Sequence, residues 1–161
     1  MNLVVVEDNL KFNERISVTI NDILKEEKIE SKIIKFYEYN KDLEKLIHNK
    51  EVKIYILDIC IKEYSGYDIA REIRESANDW ESIIIIASVH NLKEKIISLR
   101  LSILTYLLKF DNFDKNLKDT MKTAINIFKQ KGVIDLTDNY KLLSNDILYI
   151  MKEKKTVSIV L

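Results

Sequence analysis

The stretch "IYILD", Ile54 to Asp58, is a run of apolar residues that ends in a carboxylate. An unbroken apolar run, without polar residues in alternation, is typical of a strand covered on both faces of a parallel sheet. A buried strand of this kind has no structural need for a charge at its tip. Asp58 is therefore the first candidate functional residue.

The strand that precedes Asp58 is predicted over "VKIYIL" (Val52 to Leu57). Four further segments are predicted to be strands on the same grounds, and a helical pattern follows each of the five. The other strands are "LVVV" (Leu3 to Val6), "KIIKFY" (Lys32 to Tyr37), "SIIIIAS" (Ser82 to Ser88) and "ILTYLL" (Ile103 to Leu108). The helices are predicted from Asn9 to Glu27, from Asn40, after Gly66, from a capping box at Asn91 and Glu94, and after Asp111 or Asn112. Five β-then-α units predict an α/β fold, a doubly wound parallel sheet with helices on both faces.

The helical pattern ends at "KQKG", Lys129 to Gly132, and the remaining residues favour strands. We predict a first domain over 1–128, a linker over 129–132 and a short β-rich segment over 133–161. Fewer than about 40 residues rarely fold alone. We therefore expect the chain to stop partway through a second domain.

Composition narrows the class of protein. The chain has 161 residues, 26 Lys and Arg against 26 Asp and Glu, and 47% apolar residues. This balance excludes a wholly basic nucleic-acid binder and intrinsic disorder. The single cysteine, Cys60, suits a reducing compartment. No apolar run approaches the roughly 20 residues of a membrane span. We expect a cytoplasmic protein that does not contact the membrane.

Charged and hydroxyl side chains follow the predicted strands. Glu7 and Asp8 follow the first strand, Asp58 ends the third, Ser88 ends the fourth and Lys109 follows the fifth. Ligands of doubly wound sheets bind at the carboxyl ends of the strands, so these side chains should meet there. Three clustered carboxylates repel one another unless a cation neutralises them, and Mg²⁺ prefers such oxygen ligands.

This set of groups fits phosphoryl transfer. A carboxylate that stays ionised beside Mg²⁺ can act as a nucleophile, and an ammonium and a hydroxyl can balance the charge on phosphoryl oxygens. Asp58 is the candidate acceptor, with Lys109 and Ser88 as its partners. A structural alternative for Glu7 and Asp8 alone is that they cap the first helix, because acids favour helix N-termini.

The order of five motifs resembles the receiver domain of two-component response regulators. The motifs are "VVVEDN", "YILDI", a glycine eight residues after the aspartate (Gly66), "IIIIAS" and "TYLLK", over about residues 1–128. The resemblance implies a flavodoxin-like sheet of strand order 2-1-3-4-5. It also implies that a sensor histidine kinase phosphorylates Asp58.

The resemblance assigns roles to the other site residues. Asp8 would bind Mg²⁺ directly and Glu7 through water, while Asp58 and the backbone carbonyl of Cys60 would complete the protein ligands. Lys109 would pair with the phosphoryl group. In this family an aromatic residue three positions before that lysine is the switch residue, which here is Tyr106.

Two features depart from the family pattern. Counting back from Lys109 without a gap places Ala87 where the family has a Thr or Ser hydroxyl; spacing varies by about a residue, and we assign Ser88. Phe110 follows Lys109 where many receivers have a cis proline. A cis bond before Phe costs roughly 2.5–4 kcal/mol, so a trans bond is expected.

The C-terminal segment also has a resemblance. "YKLL" and "NDILYI" are similar to the opening strands of the LytTR-type DNA-binding domain found in peptide quorum-sensing regulators. This likeness implies transcription regulation. In the receiver part, phosphorylation is expected to change the face formed by the fourth helix, the fifth strand and the fifth helix, and that face would then favour a homodimer. Promoter DNA would be a partner of the full-length regulator but not of this chain, because the base-contacting loops of such domains lie later.

Two other functions fit part of the pattern. The chain could be a receiver-fold interaction module that is never phosphorylated, which absence of the hydroxyl at position 87 would favour. It could also be a phosphatase of the haloacid-dehalogenase type with an Asp nucleophile at a strand end. Those enzymes generally need a second acid two residues on, where this chain has Cys60.

Overall fold

The computed structural model of the chain describes residues 1–90, 100–130, 133–137, 140–143, 149–153 and 156–160, with side chains for 1–90 and 100–129. The predicted helix that begins with Asn91 and Glu94 lies outside the described residues. The chain divides into two compact units, Met1–Ala124 and Ile125–Leu161.

A five-stranded parallel sheet forms the centre of the first unit. Its strands are β1 (Asn2–Val6), β2 (Lys32–Phe36), β3 (Lys53–Asp58), β6 (Ile83–Ser88) and β7 (Thr105–Leu108), in the order β2-β1-β3-β6-β7. The predicted fourth and fifth strands are β6 and β7, because a short hairpin of β4 (Cys60–Ile61) and β5 (Tyr64–Ser65) follows β3. The predicted fold class and strand order are confirmed.

Helices connect the strands and begin at polar caps. They are α1 (Leu10–Glu26), α2 (Lys41–Ile47), α3 (Gly66–Arg71), which continues into a π-helical turn (Glu72–Ser76), and α4 (Phe113–Gln130). Side-chain oxygens of Asn9, Asn40 and Ser65 accept hydrogen bonds from backbone N–H groups in the first turns of α1, α2 and α3. Such caps satisfy donors that a helix end leaves unpaired.

The core lies on both faces of the sheet. One apolar cluster joins alternate residues of β1, β3 and β6 to α2, α3 and the π-helical turn: Val4, Val6, Tyr55, Leu57, Ile84, Ile86, Leu43, Ile47, Ile69, Ala70 and Ile73. The residues between them on the same strands are also fully buried, and α1 and α4 carry buried apolar residues of their own. Because side chains alternate along a strand, α1 and the part of α4 up to Ala124 cover the opposite face.

The second unit contains two antiparallel hairpins. β8 (Val133–Thr137) pairs with β9 (Tyr140–Leu143), and β10 (Tyr149–Glu153) pairs with β11 (Thr156–Val160). α4 continues through Lys129 and Gln130, two of the four residues that the sequence assigns to a linker. Neither residue is a helix breaker, so the helix passes the predicted boundary. The separate identity of 133–161 as a domain stays a prediction.

Candidate functional site

Three carboxylates meet at the carboxyl ends of β1 and β3. One oxygen each from Glu7, Asp8 and Asp58 lies within 4.8 Å of the other two. Glu7 is 1% exposed and Asp58 is 7% exposed, while Asp8 is more open to solvent. The parallel pairing of β1 with β3 brings the two strand ends together, as the sequence predicts.

Lys109 reaches this cluster from the end of β7. Its Nζ lies 2.6 Å from Glu7 Oε2 and 2.9 Å from Asp58 Oδ1, and its side chain is only 9% exposed. The Lys109 backbone N–H donates to the Ser88 carbonyl at 2.9 Å, which continues the pairing of β6 with β7 by one residue. This extension directs the lysine over the strand ends.

The surroundings of Glu7 shift the pKa of its carboxyl group. Burial raises the pKa of Glu7 above its usual value of 4.5, the charge of Asp58 raises it further, and the Lys109 ammonium opposes both effects. Glu7 Oε2 is buried and forms an ion pair with the Lys109 ammonium at 2.6 Å. A carboxylate in this position favours a nearby cation.

The β4–β5 hairpin covers the end of β3. Asp58 Oδ1 accepts a hydrogen bond from the Ile59 backbone N–H at 2.8 Å, and Asp8 Oδ2 accepts one from the Lys62 backbone N–H at 3.3 Å. Lys62 lies at the hairpin turn with φ near 50° and pairs with the carboxylate of Glu38. Backbone donors therefore point at two of the three acids.

Gly66 lies directly against the backbone of Asp58. Its N–H donates to the Ile59 carbonyl at 3.0 Å, and a Cβ at this position would lie 2.1 Å from the Asp58 carbonyl oxygen. The sequence marks this glycine only by its spacing from Asp58. The structure explains it by space: a residue with a side chain does not fit here.

The residues predicted to act in switching, Ser88 and Tyr106, lie on β6 and β7. Asp58 pairs in register with Ala87, and Ser88 lies one residue further along β6. Ser88 is 1% exposed, and its Oγ accepts a hydrogen bond from the His90 backbone N–H at 3.0 Å. Tyr106 is partly buried, and its hydroxyl donates to the His90 carbonyl. Both side chains thus bond the same residue beyond β6, and their switching role stays a prediction.

Three further predictions concern the cap of α1, Cys60 and the peptide bond before Phe110. Asn9 caps α1, so the cap that Glu7 and Asp8 could have supplied comes from another side chain. Cys60 is an exposed free thiol, and the role of its carbonyl as a metal ligand stays a prediction. The peptide bond before Phe110 is trans, as predicted.

Two residues beside the site were not predicted from the sequence, in which α1 is marked by an apolar stripe of Phe12, Ile16, Ile20, Ile23 and Leu24. Asn13 is fully buried, and its Nδ2 donates to the carbonyls of Glu7 and Phe36 at 3.1 Å each, which ties the end of β1 to the end of β2. Phe12 places its ring 4.8 Å from Lys109 Nζ. A polar residue beside the stripe was the available signal for Asn13, whereas Phe12 resembles an ordinary core residue.

No helix among the described residues combines the length and apolar character needed to cross a bilayer.

Comparisons with known proteins agree with this geometry. The response regulator receiver domain model matches residues 3–132. Similar solved structures include the response regulatory domain of protein mrkE from Klebsiella pneumoniae (19% identity, 81% of this chain, 99% of that chain, TM-score 0.66). They also include the signal receiver domain of the DNA-binding response regulator protein merR from Colwellia psychrerythraea 34H (19% identity, 78% of this chain, 98% of that chain, TM-score 0.66). A third is a response regulator receiver domain protein from Clostridium thermocellum (20% identity, 80% of this chain, 96% of that chain, TM-score 0.63).

A search of curated protein sequences found no match. The family match covers most of the chain, and the solved structures share its fold over nearly their whole length. Receiver domains are regulatory phosphoacceptors that bind Mg²⁺ at an acidic pocket. The chain belongs to the response regulator receiver domain family of two-component systems.

Proposed function

We propose that a sensor histidine kinase transfers a phosphoryl group to Asp58 of this chain. The observation that carries the proposal is that Asp58 contacts Lys109 and lies beside two further acids at one edge of the sheet. A purely structural ion pair needs one carboxylate for one ammonium, whereas Lys109 contacts two and a third lies beside them. A phosphoacceptor site needs both the acids and the cation.

The residues present fit a magnesium ion. Glu7, Asp8 and Asp58 offer oxygen ligands within 4.8 Å of one another, and Glu7 and Asp58 are buried. Hard oxygen donors of this kind suit Mg²⁺, with the Cys60 carbonyl as the further ligand implied by the family. When bound, the ion withdraws charge from the phosphoryl oxygens.

The two oxygens of Asp58 have different roles in this mechanism. Oδ1 is held by the Ile59 N–H and by Lys109, so Oδ2 is the nucleophile. Oδ2 attacks phosphorus, the bond from phosphorus to the kinase histidine nitrogen breaks, and a mixed carboxyl–phosphoryl anhydride remains. Lys109 then moves from the carboxylate to a phosphoryl oxygen and balances its charge.

The proposed output depends on β7, the strand that carries Tyr106 and is followed by Lys109. Phosphorylation draws Ser88 and Lys109 toward the new group, Tyr106 changes position, and the surface around β7 and α4 favours a homodimer. Both the Ser88 hydroxyl and the Tyr106 hydroxyl bond His90, which supports a coupled movement. The strands of 133–161 would belong to a LytTR-type output region that regulates transcription in the cytoplasm, where the kinase meets this chain.

Intact-mass spectrometry after incubation with acetyl phosphate and Mg²⁺ tests the proposal. We expect wild type to gain one phosphoryl group, Asp58→Asn to gain none, and chelation of Mg²⁺ to abolish the gain. Asp22→Asn is the matched control, because Asp22 is an exposed acid on α1. Wild type that gains no phosphoryl group from acetyl phosphate, phosphoramidate or a phosphorylated kinase contradicts the proposal.

A second candidate is a receiver-fold interaction module that is never phosphorylated. The register favours it at one position, because Ala87 and not a hydroxyl residue lies opposite Asp58. In that case Lys109 would simply hold β1, β3 and β7 together through Glu7 and Asp58. The same mass measurement separates the two candidates.

A further inference from the structure

An aromatic ring lies beside the Lys109 ammonium, in addition to two carboxylates. Nζ lies 2.6 Å from Glu7 Oε2, 2.9 Å from Asp58 Oδ1 and 4.8 Å from the centroid of the Phe12 ring. An ammonium within about 6 Å of a ring face is attracted by the ring quadrupole, most strongly where water is excluded. The lysine side chain is only 9% exposed, so this condition holds.

Phe12 is fixed by its own neighbours. Its backbone N–H donates to the Asn9 cap at 3.1 Å, which places it in the first turn of α1. Its ring contacts the Phe113 ring at 4.8 Å between centroids, tilted by 54°. The Arg15 guanidinium lies 5.5 Å from the Phe12 ring and makes two hydrogen bonds to Asp114, of 2.9 and 2.8 Å. Contacts from α1 and α4 therefore hold the ring beside the site.

The two carboxylates cannot hold Lys109 throughout the reaction. Glu7 and Asp58 are also the oxygens offered to a metal ion, and phosphorylation converts the Asp58 carboxylate into an anhydride. Both changes weaken the attraction of these groups for the ammonium. The ring takes no part in either change, so its attraction for Lys109 persists when theirs declines.

We propose that Phe12 is a positioning residue that holds the Lys109 ammonium toward Asp58 through its ring face. The inference rests on the proposed phosphorylation of Asp58 and deepens it. Phe12 touches neither the donor nor the reacting oxygen; it acts through Lys109. Its expected contribution to the phosphorylation rate is about 3- to 10-fold, the range of a partly desolvated cation–ring contact.

Phosphorylation rates with acetyl phosphate and Mg²⁺ provide the first test. We expect Phe12→Leu to be slower by about 3- to 10-fold, and Phe12→Tyr and Phe12→Trp, which keep a ring face, to retain most of the rate. Stepwise fluorination of Phe12 weakens the quadrupole with little change in shape, so the logarithm of the rate should fall in proportion. Phe110→Leu is the matched control, because Phe110 adjoins Lys109 but is 70% exposed. A structural role for Phe12 would not produce the graded response.

NMR of the side-chain methylene groups next to Nζ gives a second test that needs no phosphorylation. The ring current should shift the Lys109 signals upfield in wild type, and Phe12→Leu should remove the shift. An unchanged rate in Phe12→Leu, a flat fluorination series or an unshifted Lys109 signal in wild type overturns the inference. If wild type is not phosphorylated at all, the proposed function fails, and the NMR comparison still decides whether Phe12 holds Lys109.

Discussion

Replacement of Gly66 by alanine should damage both stability and the phosphoacceptor site. The new Cβ would lie 2.1 Å from the Asp58 carbonyl oxygen, 3.0 Å from its carbonyl carbon and 3.4 Å from the Ile59 Cα. All three atoms belong to the backbone, so no side-chain rotation relieves the contact. To bring the shortest distance from 2.1 Å to 3.0 Å, the start of α3 and the end of β3 must separate by about 0.9 Å.

Two opposing effects decide whether Gly66→Ala raises or lowers the free energy of unfolding. Alanine restricts the unfolded chain more than glycine does, which on its own stabilises a protein by about 0.4–1 kcal/mol. Overpacking that moves backbone costs about 1–3 kcal/mol or more. We therefore expect the free energy of unfolding to fall by about 2 kcal/mol and Tm to fall on the order of 5 °C. Displacement of the Asp58 backbone by most of an ångström should also slow phosphorylation, by on the order of 10²-fold.

Urea denaturation and the rate of phosphorylation by acetyl phosphate measure the two effects. Asp68→Ala is the matched control, since Asp68 is an exposed residue in the first turn of the same helix and forms a surface ion pair with Arg71 at 3.2 Å. Its effect on stability should stay within about 0.5 kcal/mol. A Gly66→Ala protein as stable as wild type, with an unchanged phosphorylation rate, would refute the steric argument.

Three other substitutions test two sets of buried hydrogen bonds and one partly exposed ion pair. Asn13→Ala removes a buried amide that bonds two strand-end carbonyls and should cost about 1–3 kcal/mol in urea denaturation; Asn21→Ala on the exposed face is its control. Arg74→Lys should cost on the order of 2–4 kcal/mol, because lysine cannot replace three separate bonds to backbone carbonyls; wild-type stability would contradict this. Asp114→Asn should cost less than about 1 kcal/mol, because its partly exposed partner Arg15 is screened by water.

The Asp114 prediction has a defined pH dependence. The Arg15 guanidinium lowers the pKa of Asp114 in the folded protein below its usual 3.8. The contribution of the ionised Asp114 to the free energy of unfolding is thus fully present above about pH 3.8. It is lost as the pH falls through the lower pKa that Asp114 has in the folded protein. The stability difference between wild type and Asp114→Asn should be constant at neutral pH and vanish in strong acid. A difference that grows toward acid would contradict the assignment.

The members of the acidic cluster can be predicted from the sequence because the sheet topology brings the strand ends together. Asp58 and Lys109 are far apart along the chain, yet each follows a strand of one parallel sheet, and such strands end at the same edge. The charge of a residue at a strand end is visible in the sequence, so the acids and the lysine could be named. The same argument cannot separate Ala87 from Ser88, because it locates the edge only to within one residue.

Features that depend on close backbone packing are not visible in this way. The β4–β5 hairpin has only two residues per strand and turns at Lys62 with a positive φ, without the glycine or asparagine that usually marks such a turn. The π-helical turn after α3 likewise has no glycine or proline. The ring of Phe12 beside Lys109 also follows from the packing of α1 against α4 and not from any local pattern.

The charge balance of the site argues for a function beyond structural support. With all three carboxylates ionised and Lys109 protonated, three negative charges and one positive charge leave a formal charge of −2 in a largely buried cluster. Burial of uncompensated charge is costly, and the raised pKa of Glu7 is the response of the protein to it. One divalent cation removes this excess. A phosphoryl group on Asp58, as proposed above, would bring new negative charge for Lys109 and that cation to share, so the excess of acids fits a site that receives both.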